Sequence, residues 1–139
     1  MGKVYANVTI ENAFDRERTR SALIPEAAVR HVHYNAMLAD SGATTLCLPA
    51  EAIAELGLPF LDEVRVGTAT GVVPARLFEG ARITVDGRTR TVECLELPGG
   101  REPLLGVFPT EILGIDLDLK NERIILRPEW GDETYLTIL

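Results

Sequence analysis

The apolar run Ala36-Met37-Leu38-Ala39 stops abruptly at Asp40-Ser41-Gly42-Ala43-Thr44. A carboxylate at the end of a buried strand costs free energy in its charged form unless hydrogen bonds or a partner compensate. A side chain held there is a candidate general acid or base. The element occurs once in 139 residues. Taken alone, Asp40-Ser41-Gly42-Ala43 also reads as an Asx-turn, with Asp40 accepting backbone amides and Gly42 supplying a left-handed bend.

Other reactive residue types are poorly placed for chemistry. His31 and His33 share one face of a strand, but no third ligand follows at metal-binding spacing, so they read as surface or half-buried imidazoles and no metal is expected. Asp116-Leu117-Asp118 with Asn121 and Glu122 lacks the Asp-x-Asp-x-Asp-Gly pattern of a calcium loop and reads as a solvated hairpin. Neither Ser21 nor Ser41 sits in a glycine-flanked nucleophile elbow. Trp130 reads as a packing or interface anchor.

The elements that would hold Asp40 are mostly strands. Lys3 to Glu11 alternates, and Val32 to Ala39 leads into the aspartate. Thr44 to Pro49 is strand-like. Ala50 to Leu58 reads as a short helix, with Pro49 at its first position and Gly57 at its stop. Glu63 to Ala69 and Val72 to Glu79 flank Thr70-Gly71. Arg82 to Val85 and Thr89 to Leu97 flank Asp86-Gly87, a type I′ turn signal. Pro98 to Arg101 reads as a loop. Pro103-Leu104-Leu105-Gly106 is an apolar strand ending in glycine, followed by a second short helix from Pro109 that Gly114 stops. Asp116 to Leu119 and Arg123 to Leu126 flank Lys120-Asn121. Asn12 to Arg30 reads as polar and irregular, with one helical turn at Glu26 to Val29, and residues 129–139 alternate like a strand. The pattern predicts a single all-β domain, a closed barrel or folded sheet with two short helices.

These residues resemble the retropepsin-like aspartic proteases, in particular the small single-domain bacterial members of clan AA. The shared pattern is an apolar strand, Asp40-Ser41-Gly42-Ala43, then Leu48-Pro49 and a helix, then Leu104-Leu105-Gly106 and a second helix. It runs from about Val4 to about Pro128. The resemblance implies the acid protease fold and peptide hydrolysis by two carboxylates that share one proton. One, ionised, takes a proton from the attacking water, and the other donates to the carbonyl oxygen and then to the leaving amine. No metal, cofactor or covalent intermediate is needed. Because the chain has one Asp-Ser-Gly, the dyad requires a homodimer in which each subunit gives Asp40. The resemblance further implies that Ser41 hydrogen-bonds across the twofold axis, Gly42 lets backbone approach the carboxylate, and Ala43 packs beneath the loop. Leu104, Leu105 and Gly106 would brace the loop from behind. The hairpin from Val66 to Val73, with Ala69, Thr70 and Gly71 at its tip, would close over substrate as a flap. The chain departs from the family pattern in three places. Serine replaces the commoner threonine at Ser41. Gly106-Val107-Phe108 lacks the arginine that braces retroviral dimers. The segment from Asn12 to Arg30 is unusually long. The missing arginine and the long segment motivate a second reading, a peptide-binding or dimerisation module with this fold and no turnover.

Composition narrows the partners. Hydrophobic residues make up 46% of the chain, and the formal charge is −7. An acidic chain is poorly suited to nucleic acid or an anionic membrane; the partners that the resemblance implies are a peptide or protein substrate and a second copy of the chain. No apolar run reaches membrane-spanning length. The first residues enter a strand pattern without a signal-peptide layout, and Cys47 and Cys94 lie inside apolar strands as expected of buried free thiols. A cytoplasmic location is therefore expected.

Overall fold

The computed structural model describes residues 2–98 and 101–128. The strand expected at 129–139, with Trp130, and Gly99 and Gly100 of the expected loop lie outside them.

Alternation makes the first strand. In β1 (Val4–Asn12) every second residue faces inward, so Val4, Ala6, Val8 and Ile10 are fully buried or nearly so. β1 pairs antiparallel with β2 (His31–Ala39), which delivers the chain to Asp40. β3 (Leu46–Pro49) follows, then α2 (Ala50–Leu56), where Ala52, Ile53 and Leu56 form the buried face. Pro49 precedes this helix rather than opening it, and Gly57 ends it at φ 64°, a left-handed position that glycine takes without strain. β4 (Phe60–Thr68) and β5 (Gly71–Val85) form the long hairpin, and β5 continues into β6 (Arg88–Leu97) through Asp86-Gly87. Both turn residues have positive φ, 48° and 81°, as a type I′ turn demands. β7 (Leu104–Leu105), α3 (Val107–Ile112), β8 (Ile115–Asp118) and β9 (Arg123–Leu126) complete the described chain.

Seven strands form one sheet in the order β1-β2-β7-β3-β6-β5-β4, and a further β1–β5 pairing bends it into a ring. Thr9 to Asn12 register against Thr84 to Ala81 at that closure. Met37, Leu46, Leu48, Ile83, Val85 and Leu105 lie in the core that the ring encloses together with α2. The all-β, ring-like folded sheet expected from the pattern is borne out. The two strands expected at Val72 to Glu79 and Arg82 to Val85 are one continuous strand, because a register shift between Phe78 and Ala81, at Gly80 (φ 84°), bends β5 instead of ending it.

The segment from Asn12 to Arg30 also departs from expectation. Its first part is a third helix, α1 (Ala13–Arg20), followed by a short 3₁₀ turn at Glu26–Ala28 close to the expected helical turn. The helix carries too little apolar periodicity to be seen in the sequence, and polar contacts hold it instead. The buried Asn12 accepts from the amides of Phe14 (2.9 Å) and Asp15 (3.0 Å), capping α1, while its amide nitrogen donates to the Leu56 carbonyl (2.8 Å) at the end of α2. One side chain thus ties β1, α1 and α2 together. Asp15, buried beneath the segment, receives two bonds from the Arg30 guanidinium (2.8 and 3.0 Å) and one from the Arg30 amide (3.0 Å). Arg16 bridges Glu11 and Glu26, and Arg82 of β5 also reaches Glu11 (2.7 Å). The Arg30 guanidinium beside Asp15 and the Arg16 guanidinium beside Glu11 hold both carboxyls below their ordinary range.

Two outcomes follow. Asn12→Ala removes a cap and strands a buried carbonyl, so urea unfolding should show a loss of about 1–3 kcal/mol. Since Asp15 and Glu11 have depressed values in the folded state, their stabilisation is complete above the ordinary values of 3.8 and 4.5 and is lost as pH falls through the folded values. Thermal midpoints should therefore drop on acidification below about pH 4. Asp15→Asn should be less stable at neutral pH and show a flatter acid limb.

Candidate active site

Asp40 sits where β2 ends, and its position is fixed by backbone rather than by side chains. β7 lies between the two arms of the loop. It runs parallel to β2, with Leu38 opposite Leu104 and Ala39 opposite Leu105, and antiparallel to β3, with Leu46 opposite Leu105. The Asp40 amide donates to the Leu105 carbonyl (3.0 Å), and the Gly106 amide donates to the Thr45 carbonyl (3.1 Å). The loop is therefore stitched to β7 at both of its ends.

The same loop caps α3. The first amides of a helix have no partner inside it. Here the Val107 amide donates to the Ala43 carbonyl and the Phe108 amide to the Thr44 carbonyl, both at 2.8 Å. Thr110, buried in the first turns, donates its hydroxyl to the Val107 carbonyl (2.8 Å). Gly106 is the point of closest approach. A Cβ there would lie 2.4 Å from the Thr45 oxygen, 2.7 Å from the Ala43 oxygen and 2.7 Å from the Thr45 nitrogen. All three atoms are backbone, so no side-chain rotation can relieve the clash. Gly106 has ordinary extended geometry (φ −83°), and its requirement for glycine is wholly one of space.

Within the loop, the Gly42 amide donates to Asp40 Oδ1 (2.8 Å) and the Ala43 amide to the Asp40 carbonyl (3.1 Å). The Asx-turn is present. The left-handed bend expected at Gly42 is not, because Gly42 is not among the positive-φ glycines. Its lack of a side chain instead makes room for the acid, since a Cβ would stand 3.1 Å from Asp40 Oδ1. Asp40 is half-buried, while Ser41 and Gly42 are exposed. The Ser41 hydroxyl has no hydrogen-bond partner among the described residues. An open depression of about 330 Å³ adjoins the loop, lined by residues 41–44 together with Val107, Phe108 and Glu111.

The backbone thus brings the loop of Asp40, Ser41, Gly42 and Ala43 against Leu104, Leu105 and Gly106. Ala69, Thr70 and Gly71 are exposed, and the bonds there close the turn on itself, with the Thr68 hydroxyl donating to the Gly71 carbonyl (2.7 Å). The cysteines are free and buried. Burial first, and then the nearby Asp40 charge, pushes the Cys47 thiol up to about 11, and burial pushes Cys94 up as well. Neither is thiolate at neutral pH, so neither is a candidate nucleophile. His33 is occupied locally, by Thr9 Oγ1 (2.7 Å) and Asn35 Oδ1 (3.1 Å). No group of three metal-ligating side chains occurs among the described residues. Sequence reasoning overlooked Thr45 and Phe108. Thr45 anchors Gly106 through its carbonyl and reaches the Glu93 carbonyl through its hydroxyl (3.2 Å). A main-chain contact of this kind leaves no mark on residue type.

A family model described as aspartyl protease matches residues 27–117, more than half of the chain. The chain belongs to the retropepsin-like aspartyl proteases. The matched span includes the Asp40 loop, the β4–β5 hairpin and the β7–α3 unit, whereas β1 and α1 precede it. A search of curated proteins returned no match. For this aspartyl protease, the close fit at Gly106 makes a direct prediction. Gly106→Ala should cost about 1–3 kcal/mol in urea unfolding through overpacking. Gly67→Ala, with nothing within 4 Å of the added carbon, should change stability little.

Proposed function

We propose that the chain is an aspartic endopeptidase that works as a homodimer, with Asp40 of each subunit forming the catalytic dyad. The observation that carries this reading is a rigidly stitched loop that presents one half-buried carboxylate beside an exposed serine, in a chain with no second Asp-Ser/Thr-Gly. Water activation by this chemistry needs two carboxylates about 3 Å apart with one proton between them. A twofold axis beside the loop supplies the second.

In this reading the ionised Asp40 takes a proton from water as the oxygen attacks the peptide carbonyl. The protonated Asp40 of the other subunit donates to the carbonyl oxygen. Collapse of the tetrahedral intermediate breaks the C–N bond, and the amine leaves with a proton from the dyad. The Gly42 amide holds the carboxylate in place throughout. The exposed Ser41 hydroxyl is free to bond across the axis. The β4–β5 hairpin closes over an extended peptide and offers it backbone hydrogen bonds, which also excludes water. Substrates are unfolded or extended protein segments.

Asp40→Asn should lower peptide cleavage by at least about 100-fold, leaving circular dichroism and sedimentation unchanged. Wild-type activity per chain should rise with protein concentration until the dimer is saturated. Retained cleavage in the variant would overturn the assignment. A stable dimer that binds extended peptides and cleaves none from acid to neutral pH would favour the silent peptide-binding reading.

A further inference from the structure

We propose that the groove between α1 and the β5–β6 sheet docks an extended cationic segment of a partner protein. The groove, about 720 Å³, is lined by Phe14 and Glu17 of α1, Glu79 and Gly80 of β5, Glu93 of β6 and Phe108 of α3, among others. Its apolar surface is substantial, because the Phe14 and Phe108 residues are 41% and 52% exposed. Gly80 creates the seat for one of them. A Cβ there would stand 2.5 Å from the Phe14 ring, so α1 lies close over the bend in β5.

Charge selects the occupant. Three carboxylates line the groove, and no lysine or arginine does. Glu17 faces Arg20 at 3.5 Å, whereas Glu79 and Glu93 have no ion pair among the described residues. Aromatic faces beside unpaired carboxylates fit the long stems and cationic heads of arginine or lysine, which lay methylenes on the rings and carry charge to the rim. The chain's formal charge of −7 adds long-range attraction for such a segment. The alternatives fit poorly. Residues 129–139 carry Glu129, Asp132 and Glu133 and no lysine or arginine, so this acidic rim repels them. A second copy docking through the same face would set carboxylate against carboxylate. Phe108 also lines the depression beside Ser41, so it borders both hollows.

The test is fluorescence anisotropy with a short labelled peptide alternating leucine and arginine, and with counterparts carrying glutamine or glutamate instead. The protein carries Asp40→Asn, so the readout is independent of hydrolysis and its failure leaves the proposed activity standing. The arginine peptide should bind, weaken as salt rises, and lose at least about fivefold in affinity in the Glu79→Gln, Glu93→Gln variant. Phe108→Ala should weaken it too. Equal affinity for the three peptides, or undiminished binding by the double glutamine variant, would overturn the proposal. So would a change of oligomeric state in that variant with unchanged peptide affinity, which would make the groove a contact between copies.

Discussion

The structure turns on a close approach of backbone to backbone. Gly106 lies against the carbonyls of Ala43 and Thr45, with room for a hydrogen and none for a carbon. That contact lets a single short segment, β7 and the start of α3, serve three purposes. It completes the sheet between β2 and β3, fixes both ends of the Asp40 loop, and supplies amides that the loop's carbonyls satisfy. A carboxylate on a free loop would wander through many rotamers and backbone states. Here the loop cannot move without breaking the sheet or uncapping a helix, so the acid is positioned by the core itself.

The segment before β2 applies similar economy at the other end of the ring. Asn12 and Asp15 are buried polar groups, and such groups destabilise a fold unless every atom finds a partner. Asn12 divides its bonds between α1 and α2, and Asp15 is enclosed by Arg30. The result fastens α1 over the bend in β5 with charged and polar contacts in place of a large apolar face. This makes the region sensitive to acid, and it gives the exterior of the sheet an acidic, aromatic groove that a bare ring of strands would lack.

Local chemistry was legible in the sequence, and non-local chemistry was not. Alternation exposed β1, the paired positive-φ demand of Asp86-Gly87 exposed its hairpin, and Gly57 and Gly114 marked where helices stop. Asp40-Ser41-Gly42-Ala43 with Leu104-Leu105-Gly106 pointed to the site because both halves of the interlock leave short motifs. α1 was missed because its stability comes from Asn12 and from partners as distant as Arg30 and Leu56, although an asparagine followed by Asp15 in the first turn is a start signal that could have been weighed. Two strands were expected where β5 is one because Gly80 reads as a break, and pairing with β6 on both sides of it, and with β1 from Ala81 to Thr84, carries the strand on. Gly42 was expected to serve a turn conformation and instead serves the space around Asp40 Oδ1.

The chain belongs to the aspartyl protease family and carries one Asp-Ser-Gly, so the proposed mechanism requires a second acid from another copy. Subunit mixing tests that requirement most directly. Wild-type protein at fixed concentration is equilibrated with a rising excess of Asp40→Asn protein, and peptidase activity is followed. Shared dyads predict that activity falls toward zero as wild-type chains are drawn into mixed pairs. Activity that stays constant across the titration would show that each chain hydrolyses peptides alone, and would contradict the account.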